Sequence, residues 1–285
     1  MHVIAHGGAG GTSGEPAKRQ AVLADAVDDG AAADTPLDAV ETTIRRLETD
    51  ARFNAGVGGA VQSDGVSRTD AGLMTGDGKI GAAASMPGVE HAISAARVVL
   101  EETPHVLLSG RHATELAADF GIEIDRNLSS EHSRERWSEA PDPPSGGPRA
   151  QLEWVYERFG GTDTVGAVAT NGEEIAVGTS TAGRWFALAG RIGDVPQVGS
   201  GFFAGETAAA SATGAGEDIA RSTLARLAVQ RVESGATPAD AAKGALTAFE
   251  ELTDSTAGLI VLDREGNRGE AFNSEAMQTA AVGSD

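Results

Sequence analysis

The sequence predicts a layered α/β fold in which strand pairs are followed by helix pairs instead of alternating strictly with them. Two features of the chain carry that expectation. Hydrophobic residues make up 40 % while aromatics are only 4 %, and there are 38 glycines, so the core must be built from Ala, Val, Leu and Ile with many close backbone approaches. The second feature is a β-hairpin signal at Asn171-Gly172, flanked by two strand-like runs at Thr164 to Ala169 and Glu174 to Ser180. Length alone, at 285 residues, admits one large domain or two small ones; the reading taken is a single domain, 1–285.

Taken in order, His2-Val3-Ile4-Ala5 reads as a buried strand opening onto the glycine turn His6-Gly7-Gly8-Ala9-Gly10-Gly11. An Ala-rich helix should run from Pro16 to about Gly30. The next begins at Thr35-Pro36, an N-cap with proline in the first helical position, and Leu37, Val40, Ile44 and Leu47 give it one apolar face. Leu47 to Gly58 reads as a helix exit and tight turn. Strands follow at Ser67 to Thr75 and Lys79 to Met86, then a helix around Val89 to Glu102, the apolar run Val106-Leu107-Leu108, and a helix near His112 to Phe120. From about 125 to 161 the composition turns charged and proline-rich, and only Gln151 to Phe159 looks helical, so a flexible surface segment is expected. Beyond the hairpin, Ser211 to Glu217 is read as the opening of a helix to about Ser234, with another at Pro238 to Leu252. Closing strands are placed at Ala257 to Leu262, Gly269 to Asn273 and Gln278 to Val282.

Composition excludes several classes of function. A formal charge of −20 argues against nucleic acid as a partner. Lys18, Lys79 and Lys243 are the only lysines, and acidic excess with so little lysine resembles a surface adapted to molar salt, where screening acts over about 3 Å. The absence of cysteine removes disulfides, thiolate metal sites and a cysteine nucleophile. Six histidines show no metal-ligand spacing, and the glycine-rich turns lack the lysine of a phosphate loop or the spacing of a dinucleotide turn. No apolar run approaches the roughly 20 residues of a membrane span and no export signal is read, so the expected location is the cytoplasm.

The stretch that organises the chemistry is Gly161-Thr162-Asp163-Thr164-Val165-Gly166-Ala167-Val168. Cleavage between Asp163 and Thr164 would give Thr164 a free α-amine beside its own hydroxyl, a base and a nucleophile on one residue. Read alone, the same threonine is simply the start of a buried strand. Arg191 and Asp194 stand at the spacing of an i, i+3 ion pair across a turn, and Thr213-Gly214 is an ordinary helix entry with Glu217 in its first turn.

Six stretches in order decide between these readings: His6-Gly7-Gly8-Ala9-Gly10, Phe53-Asn54-Ala55-Gly56, Asp163-Thr164-Val165-Gly166, Thr179-Ser180-Thr181, Gly190-Arg191-Ile192-Gly193-Asp194 and Thr213-Gly214-Ala215-Gly216-Glu217. Together they resemble the plant-type asparaginase and isoaspartyl peptidase family of N-terminal-nucleophile hydrolases, which also holds glycosylasparaginase. The resemblance implies an α+β fold, a four-layer αββα sandwich with two mainly antiparallel central sheets. It implies self-cleavage at Asp163/Thr164 into an α chain, 1–163, with a loose tail at about 125–161, and a β chain, 164–285, and a homodimer of the processed units.

Carried over residue by residue, Thr164 matches the nucleophile and Thr181 the second threonine beside it, Thr179 being more structural. Thr213 and Gly214 match the oxyanion hole, and Asn54 an asparagine near the oxyanion. Arg191 and Asp194 match the clamp on the substrate's α-carboxylate and α-ammonium. The loop carrying Leu47, Glu48, Asp50, Phe53, Ala55 and Val57 resembles one whose backbone carbonyls hold a structural sodium ion; no other cofactor is implied. The implied activity is hydrolysis of L-asparagine and of β-aspartyl dipeptides. Where the family has a glycine pair this chain has Ala182-Gly183, and Arg184-Trp185-Phe186-Ala187-Leu188-Ala189 replaces its polar residues, which leaves substrate size and leaving group open. The Asp163-Thr164 junction is shared with glycosylasparaginase, which stays as one alternative; a non-catalytic anion-binding α/β protein is the other.

Overall fold

The computed structural model describes residues 1–12, 14–143, 145–161 and 164–283. The first half contains β1 (His2–Gly10), α1 (Pro16–Ala31), α2 (Pro36–Thr49), β2 (Arg68–Thr75) and β3 (Ile80–Pro87). It continues with α3 (Ala92–Glu102), β4 (Leu107–Ser109), α4 (Gly110–Asp119), α5 (Glu131–Glu139) and α6 (Leu152–Arg158). The second half opens with the hairpin β5 (Val165–Thr170) and β6 (Ile175–Thr181), then β7 (Phe202–Ala204), β8 (Ala208–Gly214), α7 (Gly216–Ser222) and α8 (Leu224–Glu233). It closes with α9 (Pro238–Glu250), β9 (Ala257–Asp263), β10 (Arg268–Phe272) and β11 (Ala276–Val282).

Among the described residues the strands form two sheets, one of seven in the order β11-β1-β5-β6-β2-β3-β4 and one of four in the order β10-β9-β8-β7. All pairings are antiparallel except β3 with β4. Alternation along each strand sends successive side chains to opposite faces, so each sheet has two apolar faces to cover. Leu23, Val40, Ile44 and Ile93 of α1, α2 and α3 pack on the outer face of the large sheet. Leu224, Val229, Leu246 and Phe249 of α8 and α9 cover the small one. Ile4, Val168, Val177, Phe202, Ile260 and Leu262 fill the space between the sheets. This is the four-layer αββα sandwich that the resemblance implies. Sheets this close need small residues: a methyl group built on Gly72 would overlap the ring of Phe202.

Local signals explain most boundaries. Thr35 accepts from the Asp38 N–H at 3.1 Å with Pro36 at the first helical position, and Thr237 caps α9 in the same way through Asp240 at 3.2 Å. The hairpin turn holds as read: the Asn171 carboxamide oxygen accepts from the N–H groups of Glu173 and Glu174, and Gly172 takes φ +92°.

Four expectations need correction. The run His6 to Gly10 is no turn but the second half of β1, which stays paired to β11 through a bulge between His6 and Ala9. Ala208 to Gly214 is a strand, so the helix expected from Ser211 begins only at Gly216, and it breaks at Thr223, which adopts the left-handed conformation at φ 49°. Strand β7 was not expected; three residues give too short a pattern to read. The stretch 125–161 holds a second helix, α5, whose capping box joins Ser130 and Ser133. That stretch is also anchored, because Trp137 and Trp154 pack with Phe186 and Trp185 at ring separations of 5.4 to 6.3 Å.

Candidate active site

Strand periodicity builds the site. In β6, Ile175 and Val177 face the small sheet, and the same alternation turns Thr179 and Thr181 that way. In β8 it does so for Ser211 and Thr213 beyond Ala209, in β1 for His6 beyond Ile4, and in β5 for Gly166 beyond Val168. Thr164, immediately before β5, is 6 % exposed. One end of the inter-sheet space is therefore apolar and the other is lined with hydroxyls, an imidazole and carboxyls.

Hydrogen bonds tie this polar end together. His6 Nε2 lies 2.8 Å from Ser211 Oγ, and Ser211 Oγ is 2.9 Å from Thr179 Oγ1, which donates to the Gly201 carbonyl at 3.0 Å. Burial drives the His6 pKa down to about 3, against a smaller upward pull from the Thr164 backbone, so the ring is neutral. The Ala9 N–H donates to Thr213 Oγ1 at 3.3 Å, joining the bulge of β1 to the end of β8. Thr181 Oγ1 accepts from the Gly183 N–H at 3.1 Å, and Asn54, at φ 48°, accepts the Ala182 N–H on its carbonyl at 3.1 Å. Gly214 has φ +138°, and a side chain there would collide with the Thr256 carbonyl.

Arg191 and Asp194 do not form the turn-spanning ion pair that their spacing admits. Arg191 instead makes a fork to Glu217, Nε to Oε1 at 2.8 Å and Nη2 to Oε2 at 3.0 Å, and Arg184 reaches the same carboxylate at 3.1 Å. Burial pushes Glu217 upwards, but these guanidinium bonds outweigh it and the net direction is down. Asp194 is 4 % exposed, and its Oδ2 has no hydrogen-bond partner among the described residues. Burial raises its pKa to about 6 despite the attraction of Arg191. A methyl group on Gly216 would come within 2.6 Å of Asp194 Oδ1 and 2.8 Å of Arg191 Nη2, so both groups converge on one small space at the start of α7.

A second buried acid, absent from the sequence reading, belongs to the same end. Asp70 lies opposite Thr181 in the β2–β6 ladder, is 2 % exposed, and accepts the Ser85 N–H at 2.6 Å. Its pKa is raised to about 7 by burial, with Arg191 pulling down and Asp194 pushing up. The one signal in the sequence is an acid inside the otherwise apolar strand Asp70-Ala71-Gly72-Leu73-Met74. Ser211 and Glu217 escaped the reading for a related cause, since each gains its partner only when distant strands meet.

The loop after α2 folds back on itself. Leu47, Glu48 and Asp50 carbonyls accept from the N–H groups of Asp50, Val57 and Phe53, and the Glu48 and Glu90 carbonyls both crowd Gly56, each 2.6 Å from where its Cβ would sit. The Glu48 side chain points inwards, accepting from Ser180 Oγ at 2.6 Å and the Ile93 N–H at 3.0 Å, with burial raising its pKa. Asp163 lies outside the described residues.

Residues 1–285 match throughout the sequence pattern of the family described as asparaginase. The chain belongs to the asparaginase family. It is 37 % identical to the plant-type L-asparaginase of Pyrococcus abyssi over 98 % of this chain and 95 % of the relative. Against the plant-type L-asparaginase of Pyrobaculum calidifontis the identity is 38 %, over 96 % and 94 % of the two chains. The isoaspartyl peptidase/L-asparaginase of Rattus norvegicus is 34 % identical over 98 % of this chain and 85 % of its own length. The asparaginase-family stretches read from the sequence, Asp163 apart, thus fall on one end of the inter-sheet space and on the loops that border it.

Proposed function

We propose that this protein is a self-processing threonine amidohydrolase that converts L-asparagine to L-aspartate and ammonia and cleaves β-aspartyl dipeptides. One observation carries the reading: Asp194 presents an unpartnered, buried carboxylate oxygen beside the Arg191 guanidinium, within the polar end that also holds Thr181 and Thr213. An aspartyl group carries an α-ammonium and an α-carboxylate a few ångströms apart, complementary to that pair.

In maturation, Thr164 Oγ attacks the carbonyl carbon of Asp163, the C–N bond breaks to free the Thr164 α-amine, and an ester forms; water then hydrolyses the ester, giving the Asp163 carboxylate and restoring the Thr164 hydroxyl. An α-amine has a pKa near 8 in water, and the buried setting of Thr164, 6 % exposed, favours its neutral form. It then takes the hydroxyl proton as Thr164 Oγ attacks the side-chain amide carbon of the substrate. Thr213 Oγ1 and the Gly214 N–H serve the developing oxyanion with Asn54 nearby, each donor worth about 10²- to 10³-fold. Ammonia or an amine leaves with the proton, and water releases aspartate from Thr164. Thr181 orients the nucleophile.

The structural sodium ion is part of the proposal. The Leu47, Glu48 and Asp50 carbonyls each accept one N–H and keep a second lone pair, and with Phe53, Ala55 and Val57 they would hold the ion and stiffen the loop that carries Asn54. Exchanging sodium for tetramethylammonium should lower the melting temperature by several degrees; an unchanged melting curve would count against the ion. A processed homodimer located in the cytoplasm and adapted to high salt completes the reading, with light scattering as the test of the dimer.

Intact mass after long incubation decides the core of it. Fragments 1–163 and 164–285 in the wild type, with an uncut and inactive Thr164→Ala chain, support the proposal. An uncut wild type without asparagine hydrolysis defeats it and leaves the anion-binding alternative. Turnover of an N-linked glucosamine-asparagine in preference to asparagine would move the assignment to glycosylasparaginase.

A further inference from the structure

Beside the proposed site the surface opens into a cleft of about 540 Å³, within the ~300–1,000 Å³ of ordinary ligand sites. Gly8 and Gly10 of β1, Gly183 just beyond β6, and Gly161, three residues before Thr164, line it. So do three guanidinium cations, Arg19, Arg136 and Arg184, together with His132 and the indole of Trp185. None of the described residues lining it is Asp or Glu, in a chain with 42 acids against 22 lysines and arginines. A random patch of this surface would be acidic; this one is not.

Packing holds these cations in place. The Arg136 guanidinium lies 4.6 Å from the Trp185 ring centroid, and Arg184 stacks over Phe159 at 4.3 Å while bonding to the Gly161 carbonyl and to Glu217. Arg19 bonds to the carbonyls of Gly7 and Arg52. Two acids outside the lining are engaged: Glu217 holds Arg184 and Arg191, and Glu275 takes the Thr12 hydroxyl at 3.5 Å. Asparagine leaves ammonia behind, which needs neither this room nor this charge.

We propose that the cleft is the leaving-group side of the active site, and that it selects β-aspartyl dipeptides whose leaving amino acid is anionic. Its α-carboxylate and acidic side chain meet Arg136 and Arg184, and its stem lies against Trp185. The inference rests on the amidohydrolase reading. Arg184-Trp185, the stretch where the chain departs from its family pattern, thereby acquires a use.

The test compares kcat/KM for β-aspartyl-glutamate, β-aspartyl-leucine and β-aspartyl-lysine with that for asparagine, on the processed enzyme at the lowest salt that keeps it folded. The expected order is glutamate over leucine over lysine, with at least a tenfold gap between the ends that narrows as salt rises. Arg136→Glu should reverse the glutamate-to-lysine ratio and Arg136→Gln should flatten it. Equal values across the three dipeptides from an enzyme that hydrolyses asparagine would overturn the subsite alone. Failure to hydrolyse asparagine and every dipeptide would overturn the amidohydrolase reading and the subsite with it.

Discussion

A carboxylate oxygen buried without a partner is costly, and Asp194 keeps one beside a guanidinium that is committed to Glu217. A substrate ammonium would repay that cost, and only to the ionised acid. With the pKa raised to about 6 by burial, kcat/KM should climb as pH rises through about 6, mainly through KM, and Asp194→Asn should lose 10²-fold or more while abolishing that limb. Steady-state kinetics between pH 5 and 8 check this. Asp70 makes a separate prediction. Its folded pKa of about 7 lies above the ordinary carboxylate value near 3.8, so the folded state binds the extra proton between those values. The stability linked to that proton is full below pH 4 and lost as pH rises through 7. Asp70→Asn, which keeps an acceptor for Ser85, should therefore gain on the wild type in free energy of unfolding as pH rises across that window, by roughly 4 kcal/mol at most, read as a rising difference in melting temperature.

At the scale of elements, β1 shows why glycine can serve a strand as well as a turn. The bulge between His6 and Ala9 keeps the strand paired while delivering the Ala9 N–H to Thr213. The match of strands is close: a methyl on Gly166 would overlap Ser211 Oγ and lie 2.5 Å from His6 Nε2, so Gly166→Ala should cost about 1–3 kcal/mol in chemical denaturation. Thr223, a β-branched residue at φ 49° between α7 and α8, is strained, and Thr223→Asn should stabilise by about 1 kcal/mol. Helices with caps and one apolar face, such as α2, were legible because their signal is local. So was the Asn171-Gly172 hairpin. Strand β8 was not, because alanines alternate there with Ser211 and Thr213 and the run favours helix as readily as strand. Glu217 and Asp70 were illegible as site residues, since their meaning depends on Arg191, Arg184 and Ser85 arriving from elsewhere.

The molecule as a whole carries a formal charge of −20, and self-repulsion of that size weakens a compact state in dilute buffer. Raising potassium chloride from 0.1 to 2 M shortens the screening length from about 10 Å to under 3 Å, and the melting temperature should rise by ten degrees or more over that range. A flat response would remove the case for a salt-adapted surface.

Strand order has a final consequence. In the large sheet β1, β2, β3 and β4 precede Thr164 while β5, β6 and β11 follow it, and β1 lies between β11 and β5. Opening the backbone before Thr164 would therefore not let the two pieces part: their strands interleave within the large sheet, whose outer helices belong to the first piece, while the small sheet and its helices belong to the second. What changes is molecularity. The uncut Thr164→Ala chain refolds as a unimolecular event, whereas the cut protein, once denatured, must find its other half, so its recovery on dilution should scale with concentration and fail where the uncut chain still succeeds.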